Sequence, residues 1–292
     1  MKHIYSGKVR DIYDAGDDLL FMVASDRISA FDVVMQEPIA DKGRVLTAMT
    51  SYWLDFLSEL APNHLVGIDP ADYPAGWEAL GEDIAGRAML VRKAQMLPIE
   101  CIVRGYVSGS AWKEYSKFGT INKAPIEPGI EESGALPEPI FTPSTKADTG
   151  HDENITYDEA VELVGSDVAF AAAELCIEAY KRAAHSAKER GIIIADTKFE
   201  LGFIDGSLSI CDEVLTPDSS RFWLLEEFKP GGTPPSFDKQ PVRDWLESIV
   251  WDKSPPPPRL PDEVVTATSD RYREAYRLIS GLSLDDWYGV KR

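Results

Sequence analysis

The sequence predicts an α+β fold in two lobes, and three observations carry that reading. Two strand patterns, Val9 to Tyr13 and Leu19 to Ala24, flank the turn-forming stretch Ala15-Gly16-Asp17-Asp18 and read as a hairpin. A long helical pattern from Val168 to Arg190 feeds directly into the apolar run Ile192-Ile193-Ile194 and a second hairpin. Between these regions, Met96-Leu97-Pro98 separates the strand patterns of Ala88 to Lys93 and Ile99 to Arg104 and reads as a hinge. A boundary placed there gives an N-terminal β-rich lobe, 1–95, and a larger lobe, 96–292, with C-terminal helices.

Each further element has a local reason. Leu46, Met49, Trp53, Leu57 and Leu60 recur at helical spacing, and Pro62 follows them. Residues 62–86 are rich in Pro, Gly and Asp and predict loop or short pieces. Residues 122–155 predict a long polar loop, of the kind that is functional or disordered. Thr156-Tyr-Asp-Glu159 is a capping box opening a short helix that stops near Gly165. Gly191 is the expected stop of the long helix. Asp205-Gly206 is a two-residue hairpin turn, which pairs Leu208 with Phe203 and Ile210 with Leu201. A loop covers 214–240, a helix is expected from Gln240 to Trp251, Pro255 to Pro258 form a stiff connector, and a last helix runs from Asp262 to Ser280.

Bulk properties narrow the function. A net charge of −19 argues against nucleic acid, whose phosphates need a basic face. No apolar run approaches the ~20 residues of a membrane-spanning helix, and the N-terminus has no signal-peptide core. Cys101, Cys176 and Cys211 lie apart in apolar segments and read as buried, reduced thiols, which fits a cytoplasmic protein. Against an acidic background, local clusters of Lys and Arg mark sites for anionic ligands.

Four such clusters stand out. Ala195-Asp-Thr-Lys-Phe-Glu200, with Cys211-Asp-Glu213 at the other end of its hairpin, supplies Lys198 and the carboxylates Glu200 and Asp212. Nucleotide-bound Mg²⁺ is held by one or two carboxylates plus phosphate oxygens, and phosphoryl transfer needs a nearby cation. The two-residue turn points Glu200 and Asp212 to opposite faces; a three-residue loop or a bend at the open end brings them together, and the sequence leaves this open. Ser6-Gly-Lys-Val-Arg10 offers Gly7, Lys8 and Arg10 to nucleotide phosphates, or is an ordinary basic strand start. An apolar strand delivers Arg104 to its end, and the following turn presents Ser108 and Ser110. This is a set for a phosphate monoester, with Ser110 also the expected helix N-cap. Pro217-Asp-Ser-Ser-Arg221 adds Arg221 as a second phosphate contact or a surface turn. The polar loop contributes Lys146, Asp148, His151, Asp152 and Asn154 as substrate-site candidates.

Taken together, these residues resemble the SAICAR synthetase family, in its longer single-function type. The resemblance rests on Leu97-Pro-Ile-Glu-Cys-Ile-Val-Arg104 through Ser110 and on Asp196-Thr-Lys-Phe-Glu-Leu-Gly202. Ser6 to Tyr13, Ser25 to Ala30, Asp212-Glu213 and Ser236-Phe-Asp-Lys-Gln240 agree with it. It implies a protein-kinase-like small lobe and an ATP-grasp-like larger lobe. It also implies an ATP- and Mg²⁺-dependent ligase joining the carboxylate of carboxyaminoimidazole ribotide (CAIR) to the amine of L-aspartate, with release of ADP and phosphate. By the same resemblance Lys8 and Arg10 sit over the ATP phosphates and Met96 offers hinge backbone to adenine. Glu200 and Asp212 hold Mg²⁺, while Arg104, Ser110 and Arg221 hold the ribotide phosphate. Lys198 sits near the reacting carboxylate, and Asp148 near the CAIR ring and metal. The expected partners are small molecules only, with no nucleic acid or membrane, and the high net charge is compatible with a monomer, a dimer being the alternative. Two rival readings are a small-molecule kinase, since Asp196-x-Lys198-x-Glu200 followed by Asp212 has kinase-like spacing, and a nucleotide-binding module without turnover.

Overall fold

The computed structural model describes the chain apart from Lys8, Asp32, residues 147–151, Asp238 and residues 289–292, and apart from the side chain of Glu82. In chain order, the N-terminal part holds β1 (Lys2–Ser6), β2 (Arg10–Gly16), β3 (Leu19–Ala24), β4 (Ser29–Ala30), β5 (Val33–Val34), α1 (Lys42–Phe56), β6 (Leu65–Gly67) and β7 (Ala88–Arg92). It continues with β8 (Gln95–Met96), β9 (Ile99–Tyr106), α2 (Gly109–Phe118), β10 (Thr120–Ile121), β11 (Ala124–Pro125), β12 (Ala135–Phe141) and β13 (Ser144–Thr145). Last come α3 (Tyr157–Val164), α4 (Ser166–Glu189), β14 (Ile192–Ile204), β15 (Ser207–Cys211), β16 (Ser220–Leu224), α5 (Gln240–Ser248) and α6 (Asp262–Ser280). Short 3₁₀ turns fill much of the predicted loop between β6 and β7.

Two sheets organise these elements. The first is antiparallel, with strand order β1-β2-β3-β7-β6. The second has seven strands built around β9 and β14, with β12, β13, β15, β16 and β8 attached. The two meet where Asn63 bridges Ile210, and the His64 backbone ties both: its N–H donates to Ile210 and its carbonyl accepts from Arg92.

The main core lies behind the larger sheet. Cys101, Val103, Phe199 and Leu201 of the sheet meet Ala172, Cys176, Ala179 and Ala183 of α4, whose small side chains let the helix approach closely. The same core extends to Val45, Leu46, Met49 and Trp53 of α1 and to Tyr272, Ala275, Tyr276 and Ile279 of α6. Helix α1 therefore packs with the C-terminal helix as well as beneath β3. A buried ion pair, Lys42 Nζ to Asp218 at 2.6 Å, and a hydrogen bond from Tyr272 to the same carboxylate at 2.6 Å fix that junction. All three cysteines are buried free thiols, as the sequence predicts.

Local signals mark most boundaries. The Thr156 capping box forms in both directions. The long helix ends at Glu189, with Gly191 at φ +79°, and α6 has its predicted limits. Six details differ from the sequence reading. The expected loop 122–155 contains β11, β12 and β13, and the expected loop 214–240 contains β16; these escape a local reading because the partners of β12, β13 and β16 lie far along the chain. The strand carrying Arg104 continues to Tyr106, so the arginine lies inside it. Helix α2 has its N-cap position at Ser108, whose side chain makes no capping hydrogen bond, with Ser110 in its first turn. Helix α5 stops at Ser248, before Trp251. The hinge is partly strand, because Gln95 and Met96 pair with Phe203 and Gly202, a long-range contact invisible in a two-residue stretch.

Candidate active site

Successive side chains along a strand alternate between the two faces of a sheet, and residues paired across neighbouring strands share a face. On β9 and β14 one face is the apolar core face just described. The other carries Glu100, Ile102 and Arg104 from β9, and Asp196, Lys198 and Glu200 from β14. The register sets Arg104 opposite Asp196 and Ile102 opposite Lys198, and on the other flank Arg221 of β16 opposite Asp196. One carboxylate thus lies between two guanidinium groups. Arg104 Nη1 donates to Asp196 Oδ2 at 2.9 Å, and Arg221 pairs with the same oxygen.

Arg104 is 3% exposed; its Nε donates to Thr142 Oγ1 at 3.0 Å and its Nη2 reaches Ser110 Oγ at 3.4 Å. Burial lowers its pKa, and the Asp196 charge opposes that shift. A cavity of about 250 Å³ opens over this row, lined by Arg104, Ser110, Asp196, Lys198 and Arg221, and on its far side by Asp218, Lys239 and Arg243.

A larger cleft of about 690 Å³ lies between the two sheets. Ile12, Leu20, Met22, Val91 and Met96 form its apolar wall, Arg10, Lys146, Lys198, Glu200, Asp212 and Glu213 its polar one, and the Gly7 backbone also borders it. The hairpin register is the one the Asp205-Gly206 turn predicts: Phe203 pairs with Leu208 and Leu201 with Ile210. Pairing ends at Glu200 and Cys211, and Asp212 then adopts φ +58°. That bend brings Glu200 and Asp212 into one cleft, a conformation that aspartate tolerates better than most side chains.

Each of these carboxylates has a cationic partner. Asp212 pairs with Arg10, which also reaches Glu213 at 3.2 Å, and Glu200 pairs with Lys146. Lys198 pairs with Glu100 and lies 3.9 Å from Glu200. Burial works to lower the Lys198 pKa, but the charges of Glu100, Glu200 and Glu213 overcome it and raise it above the ordinary lysine value. Cys211, beside them, is pushed up to about 12 by burial and then by the Glu200 charge, so its thiol stays protonated. Two carboxylates sharing a cleft suit a Mg²⁺ ion that completes its shell with nucleotide phosphates and water. Among the described residues no three metal-binding side chains converge into a self-contained cage.

The predicted residues therefore fall into two groups. Gly7, Arg10, Met96, Glu200 and Asp212 share the large cleft; Arg104, Ser110 and Arg221 share the smaller cavity; Lys198 lines both. Lys146 and Asp152 of the polar loop also line the cleft. Lys8, Asp148 and His151 lie outside the described residues. The sequence reading missed Glu100, the buried partner of Lys198, although period-two alternation from Arg104 puts it on the site face. It also missed His64, a buried imidazole lining the cleft, which no local pattern singles out.

Fold and site together define a mixed α/β enzyme whose cleft and adjoining cavity are furnished with cations and carboxylates for anionic substrates, without an activated protein nucleophile among the described residues. The family model described as SAICAR synthetase matches residues 3–258. Phosphoribosylaminoimidazole-succinocarboxamide synthase of Trichlorobacter lovleyi is 54% identical over 285 residues, covering 97% of this chain and 96% of that protein. The protein of the same name from Geobacter sulfurreducens is 53% identical over 276 residues, covering 94% and 93%. Among solved structures, SAICAR synthase from Saccharomyces cerevisiae complexed with SAICAR superposes with a TM-score of 0.89 at 44% identity, covering 96% of this chain and 95% of that one. A SAICAR synthetase in complex with ADP gives 0.70 at 26% identity, covering 96% and 98%. The chain belongs to the SAICAR synthetase family.

Proposed function

We propose a division of labour in which the large cleft takes ATP, the smaller cavity takes CAIR, and Lys198 acts where they join. As a member of its family the chain is an ATP-using carbon–nitrogen ligase of purine biosynthesis. In this reading it joins CAIR to L-aspartate, giving SAICAR, ADP and phosphate, in the cytoplasm. The single observation that carries the assignment is that Lys198 lines both cavities.

The chemistry follows from the substrates. A carboxylate is a poor acyl donor until one oxygen becomes part of a leaving group. Transfer of the ATP γ-phosphoryl group to the CAIR carboxylate makes an acyl phosphate; the aspartate amine attacks its carbonyl carbon, the C–N bond forms, and phosphate leaves. The apolar wall of Ile12, Leu20, Met22 and Val91 suits a base, and Met96 lies at the hinge beside it. Gly7 and Arg10 border the phosphate end. Glu200 and Asp212 would hold Mg²⁺, which supplies charge neutralisation for the phosphates. Arg104, Ser110 and Arg221 fit the ribotide phosphate, since a guanidinium binds phosphate through two parallel hydrogen bonds. Lys198 then neutralises the reacting carboxylate and the charge that develops on transfer. Lys8 and Asp148 keep the phosphate-covering and ring-side roles that the resemblance implies.

We also propose that 1–95 form a protein-kinase-like small lobe and 96–292 an ATP-grasp-like one. A sheet of residues 2–92 on one side of the cleft and a sheet of 95–224 on the other support that division, although α1 shares its core with the larger lobe.

An assay of ADP release with and without CAIR and L-aspartate tests the function. The ligase reading expects phosphate release only with both substrates. A kinase leaves phosphate on its acceptor without aspartate, and a binding module releases nothing.

A further inference from the structure

Strand β14 changes face partway along its length. On β16, Arg221 and Trp223 stand two residues apart and share a face. Their partners on β14, Asp196 and Ile193, stand three apart, because the register shifts between Ile194 and Asp196. Ala195 is therefore the extra residue of a β-bulge. It packs with Ile193 and Trp223, on the same face as Asp196.

The bulge decides where the charges go. Ile192 and Ile194 point into the core that β14 shares with α4. Unbroken alternation from them would send Asp196, Lys198 and Glu200 into that core as well. With one residue inserted, Phe199 and Leu201 take the core side and the three charged residues face the cavities.

A side chain from the core holds this point. Tyr180 of α4 is buried, and its hydroxyl donates to the carbonyl of Ile194, the residue before the bulge, at 2.6 Å. Burial raises the pKa of the phenol, so it stays protonated as a donor. Strand β9 makes room for it. Its pairing with β14 runs from Cys101 and Phe199 to Arg104 and Asp196, and the next residue of β9 is Gly105. A methyl group at Gly105 would lie 2.9 Å from Tyr180 Cζ and closer still to the hydroxyl. Glycine at that position thus serves the close approach of the ring.

We propose that Tyr180 is a positioning residue: its hydroxyl pins the bulge at Ala195 from the core side and so keeps Asp196 between Arg104 and Arg221. Gly105 supports the same contact by leaving it space. Neither residue lines the cleft or the smaller cavity, so both act through the backbone of β14.

The kinetic consequence rests on the reading that Arg104 and Arg221 hold CAIR, and the experiment separates the two. Amide hydrogen exchange of residues 192–198, thermal melting, and ADP release against CAIR, ATP and L-aspartate are measured on the whole protein. The variants are Tyr180→Phe, Gly105→Ala, their double and Tyr73→Phe. The last is the control, because it removes a like hydrogen bond, from the Tyr73 hydroxyl to the Ala88 carbonyl at 3.1 Å, in the other sheet. Tyr180→Phe should speed exchange at Ala195 and Asp196. It should raise the KM for CAIR about 5- to 10-fold, the worth of one neutral hydrogen bond, with the KM for ATP nearly unchanged. Gly105→Ala should act alike, and the double variant should be no worse than the poorer single, since both remove one contact. Tyr73→Phe should lower the melting temperature and leave exchange at the bulge and the KM for CAIR as they were. Unchanged exchange in Tyr180→Phe, kinetics like those of Tyr73→Phe, or single effects that multiply in the double variant overturn the positioning role. Faster exchange with the KM for ATP or aspartate raised in place of that for CAIR upholds the pin and overturns the assignment of the smaller cavity to CAIR.

Discussion

Arg10 of the five-stranded sheet is ion-paired with Asp212 at the open end of the opposite hairpin, so the two walls of the cleft are tied through a carboxylate proposed to hold metal. Arg10 keeps a second contact, to Glu213 at 3.2 Å. Removing the Asp212 charge therefore leaves Arg10 partnered. Asp212→Asn should stay folded and lose about 10²–10³ in turnover, the size of one electrostatic contact in the transition state. A magnesium titration of ADP release, alongside a melting curve, checks this. Near-normal turnover at saturating Mg²⁺ would sink the metal assignment.

Arg104 serves two masters, because it faces the cavity and also holds buried Asp196. Arg104→Lys keeps the charge and loses the planar fork that spans Asp196, Thr142 and Ser110. The KM for CAIR should rise about tenfold or more, and the melting temperature should fall by a few degrees as a buried hydrogen bond is lost. ATP affinity should stay the same. An equal loss of both affinities would assign Arg104 to structure or to the nucleotide.

Much of this site was legible in the sequence, for physical reasons that differ by residue. Asp205 and Gly206 both have positive φ, at 51° and 78°, so their dipeptide sets the register of the hairpin without outside help. A bend at the open end was one of two alternatives the sequence left open; it could not be chosen there, because the left-handed backbone of Asp212 sits among tertiary contacts such as the Arg10 pair. Glu100 was hidden in an apolar strand that reads as a vehicle for Arg104. Its partner Lys198 lies on another strand, and only the β9–β14 register brings the two together. The N-cap moved from Ser110 to Ser108 because the strand before it runs on to Tyr106 and Gly109 turns at φ +58°. Lys239 lay in a motif without a role, and Arg243 was not singled out at all; only the placement of α5 brings both to the smaller cavity.

His64 provides a pH signature of the junction between the sheets. It is 3% exposed, its Nε2 has no hydrogen-bond partner, and burial together with the Arg10 charge lowers its pKa to about 3. The unfolded chain binds a proton there near pH 6.5, so between 6.5 and 3 the unfolded state holds more protons than the native one. Stability is therefore full above pH 6.5 and falls as pH drops through that window, by up to about 1.4 kcal/mol per pH unit from this group. His64→Gln should flatten that part of the profile. Urea unfolding from pH 4 to 7 measures it, and equal slopes in both proteins would refute the assignment.

The Lys198–Glu100 pair decides what a lysine substitution can prove. Glu100 is buried, with its other oxygen accepting from Ser144 at 3.1 Å. Lys198→Met would strand that carboxylate. The cost is about 1–3 kcal/mol, less than for a fully buried pair because the lysine side chain is 34% exposed. The single variant should thus lose both stability and turnover, and a structural role would predict the same. The double variant Lys198→Met with Glu100→Gln separates them. A neutral amide at position 100 no longer needs a cation, so the melting temperature should recover towards wild type. If Lys198 neutralises the reacting carboxylate, turnover should remain down by about 10²–10³, because no cation has returned to the junction of the two cavities. If turnover recovers along with the melting temperature, the pair only steadies the sheet, and the catalytic role passes to another group.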